Sequence, residues 1–145
     1  MKKLLLSLGM LAILTSTSMA AVQKIAVVNV QAVVAKSAQV AALKREQQAK
    51  ISELEKWLRS AQADVQKQQT KEGKEKLLKK YNADFATKKE AIAKDYQLKL
   101  QAVDRSITET ITTKARAMGY DMVISKSMVI MGGDDITAEI QKIVK

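Results

Sequence analysis

The sequence predicts an α+β protein that is mostly α: a small β-strand body for oligomerisation with a long protruding α-helical hairpin, a coiled-coil-like arm. Three observations predict it. The 145 residues contain no Pro and only five Gly, where ordinary usage gives Pro at about 5%, so little in the chain interrupts a helix. Short runs of β-branched residues stand near the two ends of the expected mature chain. Between them, apolar residues recur at spacings of three and four over two long stretches, the period of a helix buried along one stripe.

The elements follow in order. Lys2 and Lys3 precede an apolar run at 4–14, with Ser18 and Ala20 at the small-residue positions for a cut before Ala21. Residues 1–20 therefore read as a secretory signal peptide cleaved after Ala20; the apolar run is too short to span a bilayer. Residues 24–30, KIAVVNV, read as a strand covered on both faces. From about Val40 the period changes, and Ile51, Leu54, Leu58, Ala61 and Val65 form the seam of a first long helix. Leu78, Tyr81 and Phe85 open a second seam, which continues through Ile92, Tyr96, Leu100, Val103, Ile107, Ile111 and Met118. Thr108, Thr110, Thr112 and Thr113 are poor helix formers, but the spacing of Ile107 and Ile111 keeps this stretch helical. Gly73 stands alone between the seams and is expected to end the first helix and reverse the chain, which places the tip near 70–74. Arms of this length reach ~45–65 Å.

After Gly119 the pattern returns to sheet. Residues 120–125 (YDMVIS) and 128–131 (MVIM) read as two strands joined by a tight turn at Lys126 and Ser127. Gly132 and Gly133 break the second of them. Asp134 or Asp135 then caps a last helix whose apolar stripe is Ile136, Ile140, Ile143 and Val144. Met118, Met122, Met128 and Met131 read as core fillers.

The division is thus a body of 21–37 and 119–145 with residues 38–118 inserted as the arm. Segments near 40 residues without disulfides or metal rarely bury enough apolar surface to stand alone, and strands with open edges need partners. Joining the strands of several protomers answers both needs. The residues expected to form that oligomerisation core are Ile25, Val27, Val28, Val30, Met122, Val123, Ile124, Val129 and Ile130.

Composition removes many functions. There is no His and no Cys, which excludes imidazole acid/base work, thiol nucleophiles, imidazole or thiolate zinc sites and disulfides. Gly73 and Lys74 are followed by Glu75, so the pattern of a phosphate loop is broken. The run at 132–135, Gly-Gly-Asp-Asp, resembles a magnesium-binding carboxylate pair, but a turn followed by a helix cap explains it. No enzyme activity and no cofactor are expected. The charge is uneven: residues 38–118 carry 18 basic and 11 acidic side chains, and 67–89 alone hold eight lysines against three acids. A basic helical chain could bind nucleic acid, but an export signal argues against a nucleic-acid partner.

The strand KIAVVNV after the leader, the basic hairpin with a small polar tip, the strand YDMVIS and the terminal DITAEIQKIVK together resemble the Skp (OmpH-like) family of periplasmic chaperones. The resemblance implies a homotrimer whose strands join in a central body and whose arms enclose unfolded outer-membrane β-barrel precursors, without ATP. It implies a periplasmic location, with an anionic lipid or lipopolysaccharide surface as a further partner, although no lipopolysaccharide site aligns with this chain. On that reading the client-binding residues are Lys67, Lys71, Lys74, Lys76, Lys79, Lys80, Lys88 and Lys89 with Tyr81 and Phe85. Trp57, Tyr81 and Phe85 also read as packing within the hairpin, and the lysines as solvation of an exposed tip. The rival function is a structural coiled-coil spacer in the envelope.

Overall fold

In the computed structural model, which describes residues 23–144, the chain order is β1 (Ile25–Val28), α1 (Val30–Lys36), α2 (Ala38–Lys67), α3 (Lys71–Ala117), β2 (Met122–Ser125), a 3-10 turn (Lys126–Met128), β3 (Asp134–Asp135) and α4 (Thr137–Ile143). The expected signal peptide lies outside the described residues. The chain is mostly helix with a small sheet, as its composition and periodicity predict.

Strand β1 is the centre of the sheet, flanked by β2 and β3, and both pairings are parallel. Ile25 stands opposite Met122 and Val28 opposite Ser125, while Ala26 and Val27 pair with Asp134 and Asp135. Parallel neighbours need a long crossover, and here the crossover from β1 to β2 contains the whole arm. Asn29 ends β1 and caps α1, its Oδ1 accepting from Ala32 N at 3.1 Å. Ser37 is the sole residue between α1 and α2. Its backbone N donates to Val34 O at 3.1 Å and its Oγ accepts from Val40 N at 3.4 Å, so one serine closes one helix and opens the next.

The core joins both ends of the sequence. Ala26 and Val28 of β1 pack with Val33 of α1, Ile107, Ile111 and Ala115 from the base of α3, and Ile136, Ile140 and Val144 around α4. Ile140, Val28 and Val33 are the largest fully buried side chains, each worth about 1.5–3 kcal/mol of burial. Ala38 N donates to Val144 O at 3.0 Å, which ties the base of α2 to the last turn of the chain. The threonine-rich stretch of α3 is helical; Thr110 and Thr112 return their hydroxyls to carbonyls one turn back.

Several expectations are corrected. The first strand stops at Val28, because Asn29 turns the chain into α1 and places Val30 in a helix. Residues 128–131 form no strand: Lys126–Met128 is a 3-10 turn, and the third strand is Asp134–Asp135, parallel to β1 rather than hairpinned to β2. Gly132 and Gly133, at φ 91° and 81°, bend the chain back to reach β1. Gly73 does not reverse the chain. It lies in the first turn of α3, its N donating to the capping Thr70 Oγ1 at 3.1 Å, and the reversal is made by residues 68–70, with Gln68 and Thr70 extended. In the arm, Ile51, Leu78 and Leu100 are exposed, whereas Leu77 is half-buried. Ile143 is likewise exposed, so the stripe of α4 is Ile136, Ile140 and Val144. Met122, Met128 and Met131 are exposed rather than core fillers.

Candidate functional site: the basic arm and the apolar edge of the body

Helices α2 and α3 run antiparallel in a constant register. Gln39 donates to Ser106, Lys99 to Glu46, Lys50 to Asp95 and Tyr81 to Asp64, and Lys88 sits over the Trp57 ring. The numbers of the two partners add to 145 in every case. One register therefore holds from the base of the arm almost to its tip.

The tip half carries the positive field. Lys67 is the last residue of α2, and Lys71, Lys74, Lys76, Lys79, Lys80, Lys88 and Lys89 lie on the first part of α3. All eight are exposed. Lys67 reaches Asp64 at 3.7 Å, and among the described residues the other seven form no ion pair. Their charges face solvent and are available to an acidic chain, with the reach of a screened field, about 8–10 Å near physiological salt.

The aromatic residues are tied into the arm. Tyr81 stands edge-on to Trp57, with ring centroids 5.8 Å apart at 83°, and its hydroxyl donates to Asp64 Oδ2 at 3.1 Å. That bond to a carboxylate pushes the Tyr81 hydroxyl above its ordinary value. Phe85 is half-buried. Next to Trp57 the two helices leave an open cleft of about 580 Å³, lined by Leu54, Trp57, Ala91 and Ile92 with Lys50 and Lys88 at its sides. Lys88 Nζ stands 5.4 Å from the Trp57 ring centroid, a cation over an aromatic face. Tyr81 and Phe85 thus pack in the hairpin, while Lys80 and Lys88 stand over the Tyr81 and Trp57 rings with their charges unpaired by any carboxylate among the described residues.

Basal to the cleft lies a group that the apolar pattern alone misses. Lys50 Nζ is 3.1 Å from Glu46 Oε1 and also pairs with Asp95 Oδ2; Lys99 Nζ is 3.2 Å from Asp95 Oδ2 and also pairs with Glu46 Oε1. Each cation touches both carboxylates. The Lys99 and then the Lys50 ammonium hold the Glu46 carboxyl below its usual range, and Lys50 followed by Lys99 does the same for Asp95. In return Asp95, then Glu46, push Lys50 well above the usual lysine range. A sequence signal existed: Glu46 with Lys50 and Asp95 with Lys99 are both acid-before-base pairs four apart, the favourable order on a helix. Only the hairpin register brings the two pairs together.

The body presents a different surface. Of the expected oligomerisation residues, Val27 and Val28 are buried within the protomer itself, Ile25, Val123, Ile124 and Val129 are half-buried, and Val30 and Met122 are exposed. Ile130 is fully exposed, at 104%, beside Met131 at 92% and Met128 at 79%. Val129 is extended, at φ −106° and ψ 123°, yet has no strand partner. Val28, Val30, Ile107, Ile111, Val123 and Ile124 line a second groove of about 200 Å³ beside β2. Asp134 and Asp135 are engaged locally: Asp134 accepts from the Tyr120 hydroxyl at 3.0 Å and Asp135 from Lys126 Nζ at 2.7 Å.

A family model described as "Outer membrane protein (OmpH-like)" matches residues 24–144. No curated protein matches the chain.

Proposed function

The chain belongs to the OmpH-like family, and on that premise we propose that it is an ATP-independent periplasmic holdase for unfolded outer-membrane β-barrel precursors. Membership carries a periplasmic chaperone-type role towards outer-membrane proteins in general; the holdase mechanism is our reading. The observation that carries it is the pairing of a long hairpin, lysine-rich and largely free of ion pairs at its tip, with a body that leaves Met128, Ile130 and Met131 open to solvent.

Three such bodies would join through those apolar side chains, forming a homotrimer whose arms surround a cavity. A barrel precursor exposes alternating apolar residues and unpaired strand edges that aggregate when free. Lysines on several arms attract an acidic client with little demand for geometry, and many weak contacts add through effective concentration without freezing it. Lys67, Lys71, Lys74, Lys76, Lys79, Lys80, Lys88 and Lys89 are the proposed contacts, with Tyr81 and Phe85 shaping the surface between them. Release passes the client to a better partner and requires no hydrolysis. An anionic lipid surface fits the same lysine field as a further partner. Export through a signal peptide cleaved after Ala20 belongs to this reading.

The test is light scattering of a urea-diluted barrel protein with and without the purified chain. Suppressed aggregation at stoichiometric trimer supports the holdase; unchanged aggregation favours the spacer in the envelope.

A further inference from the structure

The seam between α2 and α3 is apolar at both ends and charged in the middle. Near the body, Leu43 is buried and Val40 and Val103 pack against the core. Towards the tip, Leu54, Trp57 and Ala61 turn inward. Between these zones the facing positions hold Glu46 and Lys50 on α2 and Asp95 and Lys99 on α3. Tyr96 is half-buried at the same level, and the four charged side chains keep 30–41% exposure, so salt ions reach the pairs. Lys50 and Asp95 also line the cleft that contains Trp57, which makes the ion pairs the basal wall of that cleft.

We propose that Glu46, Lys50, Asp95 and Lys99 form a salt-sensitive clasp that sets how far the two arm helices stand apart, and with it the width of the Trp57 cleft. The signs alternate around the group, so each cation is shared and each carboxylate is held from both helices. Screening weakens all the cross-arm pairs together. Parting the helices at this level separates charges that water can solvate, and the apolar side chain at stake, Tyr96, is already only half-buried. A local change is amplified along the arm: Lys67 lies about 25 Å beyond Lys50 at 1.5 Å per residue, so an opening of about 10° moves the tip by about 4 Å. The clasp would thereby tune the space enclosed by the arms. That consequence rests on the holdase reading, but the clasp itself does not.

Trp57 is the only tryptophan in the chain, which makes its fluorescence a local reporter. Acrylamide quenching is measured on the purified mature protein without client, between low salt and about 1 M salt. Quenching should rise about twofold in the wild type as the pairs are screened. The amide variant E46Q/K50Q/D95N/K99Q should be quenched at all salts as the wild type is at high salt. The variant E46K/K50E/D95K/K99E keeps the alternation of signs and should keep the salt response, as should Lys88→Gln, which removes the cation over the ring. Circular dichroism reports whether each variant stays helical. Salt-independent quenching of the wild type, a wild-type response in the amide variant, or loss of the response in the sign-reversed variant while it remains helical would overturn the clasp. Failure to suppress client aggregation with an intact salt response sinks the holdase reading and leaves the clasp standing.

Discussion

Gly133 lies against Val27 so closely that a Cβ on the glycine would stand 2.5 Å from Val27 Cγ2. The glycine also has φ +81°, a left-handed conformation that L side chains adopt at a cost. Strand β3 reaches β1 through this contact.

Gly133→Ala should therefore destabilise the body by about 3 kcal/mol or more, because backbone strain and overpacking add. Gly119 has the same φ but nothing within 4 Å of its would-be Cβ, so Gly119→Ala should lose only about 1 kcal/mol. Urea denaturation of both variants checks the difference, and equal losses would remove the Val27 contact as the cause.

Ile140 is fully buried against the strands and helices of the body. Replacing it with Ala should lower stability by about 2–5 kcal/mol through lost contacts and a residual cavity, and a urea midpoint close to the wild type would show that the site collapses to fill the space.

The proposed assembly makes a different demand on the apolar edge. Ile130 and Met131 stand in solvent in the single chain, so Ile130→Lys with Met131→Lys should yield folded monomers in sedimentation, with unchanged far-ultraviolet circular dichroism. Val27→Lys should instead unfold the protomer, since Val27 is 4% exposed. An intact oligomer in the double variant would place the interface elsewhere.

Acid should act through Asp135. The Lys126 ammonium, then the hydroxyl and backbone N–H of Thr137, hold its carboxyl well below the usual range. A carboxyl depressed in the folded state stabilises the fold above its unfolded pKa, about 4, and that contribution is lost as pH falls through the folded value. Asp135→Asn should lower Tm at neutral pH and reduce its fall below about pH 4. Parallel Tm profiles for the two proteins would reject this role.

Replacing Lys71, Lys74, Lys76, Lys79 and Lys80 with Gln should slow capture of an acidic unfolded client, with the deficit shrinking as salt rises. Stopped-flow capture at low and high salt measures it, and equal rates at low salt would exclude the tip cluster.

The sequence made the helical hairpin legible because two long stripes keep helical spacing without a proline to break them. Leu54, Ala61, Ile107 and Ile111 turn inward as that spacing requires. It misled at Leu78 and Leu100, where an apolar residue one position from the seam fits the spacing almost as well as its neighbour; Leu77 and Lys99 hold the inward places. The run at 128–131 has the β-propensity of a strand but no partner within one chain, and pairing is not a local property. Asp134–Asp135 shows the converse, pairing as a strand despite a composition that disfavours it. The clasp stayed hidden because its two halves are ordinary surface pairs until the register brings them together.

Lys24 donates its backbone N–H to Asp121 at a sequence separation of 97, at the foot of the β1–β2 pair. Closing a loop of that length costs about 4 kcal/mol of chain entropy, and pairings between distant segments form slowly. A hairpin that zips from its own local turn shortens the effective loop and carries the distant strands to each other. An order of folding is expected from the insertion: the limb should condense before its root, and a lesion along the limb should slow maturation of a sheet it never touches.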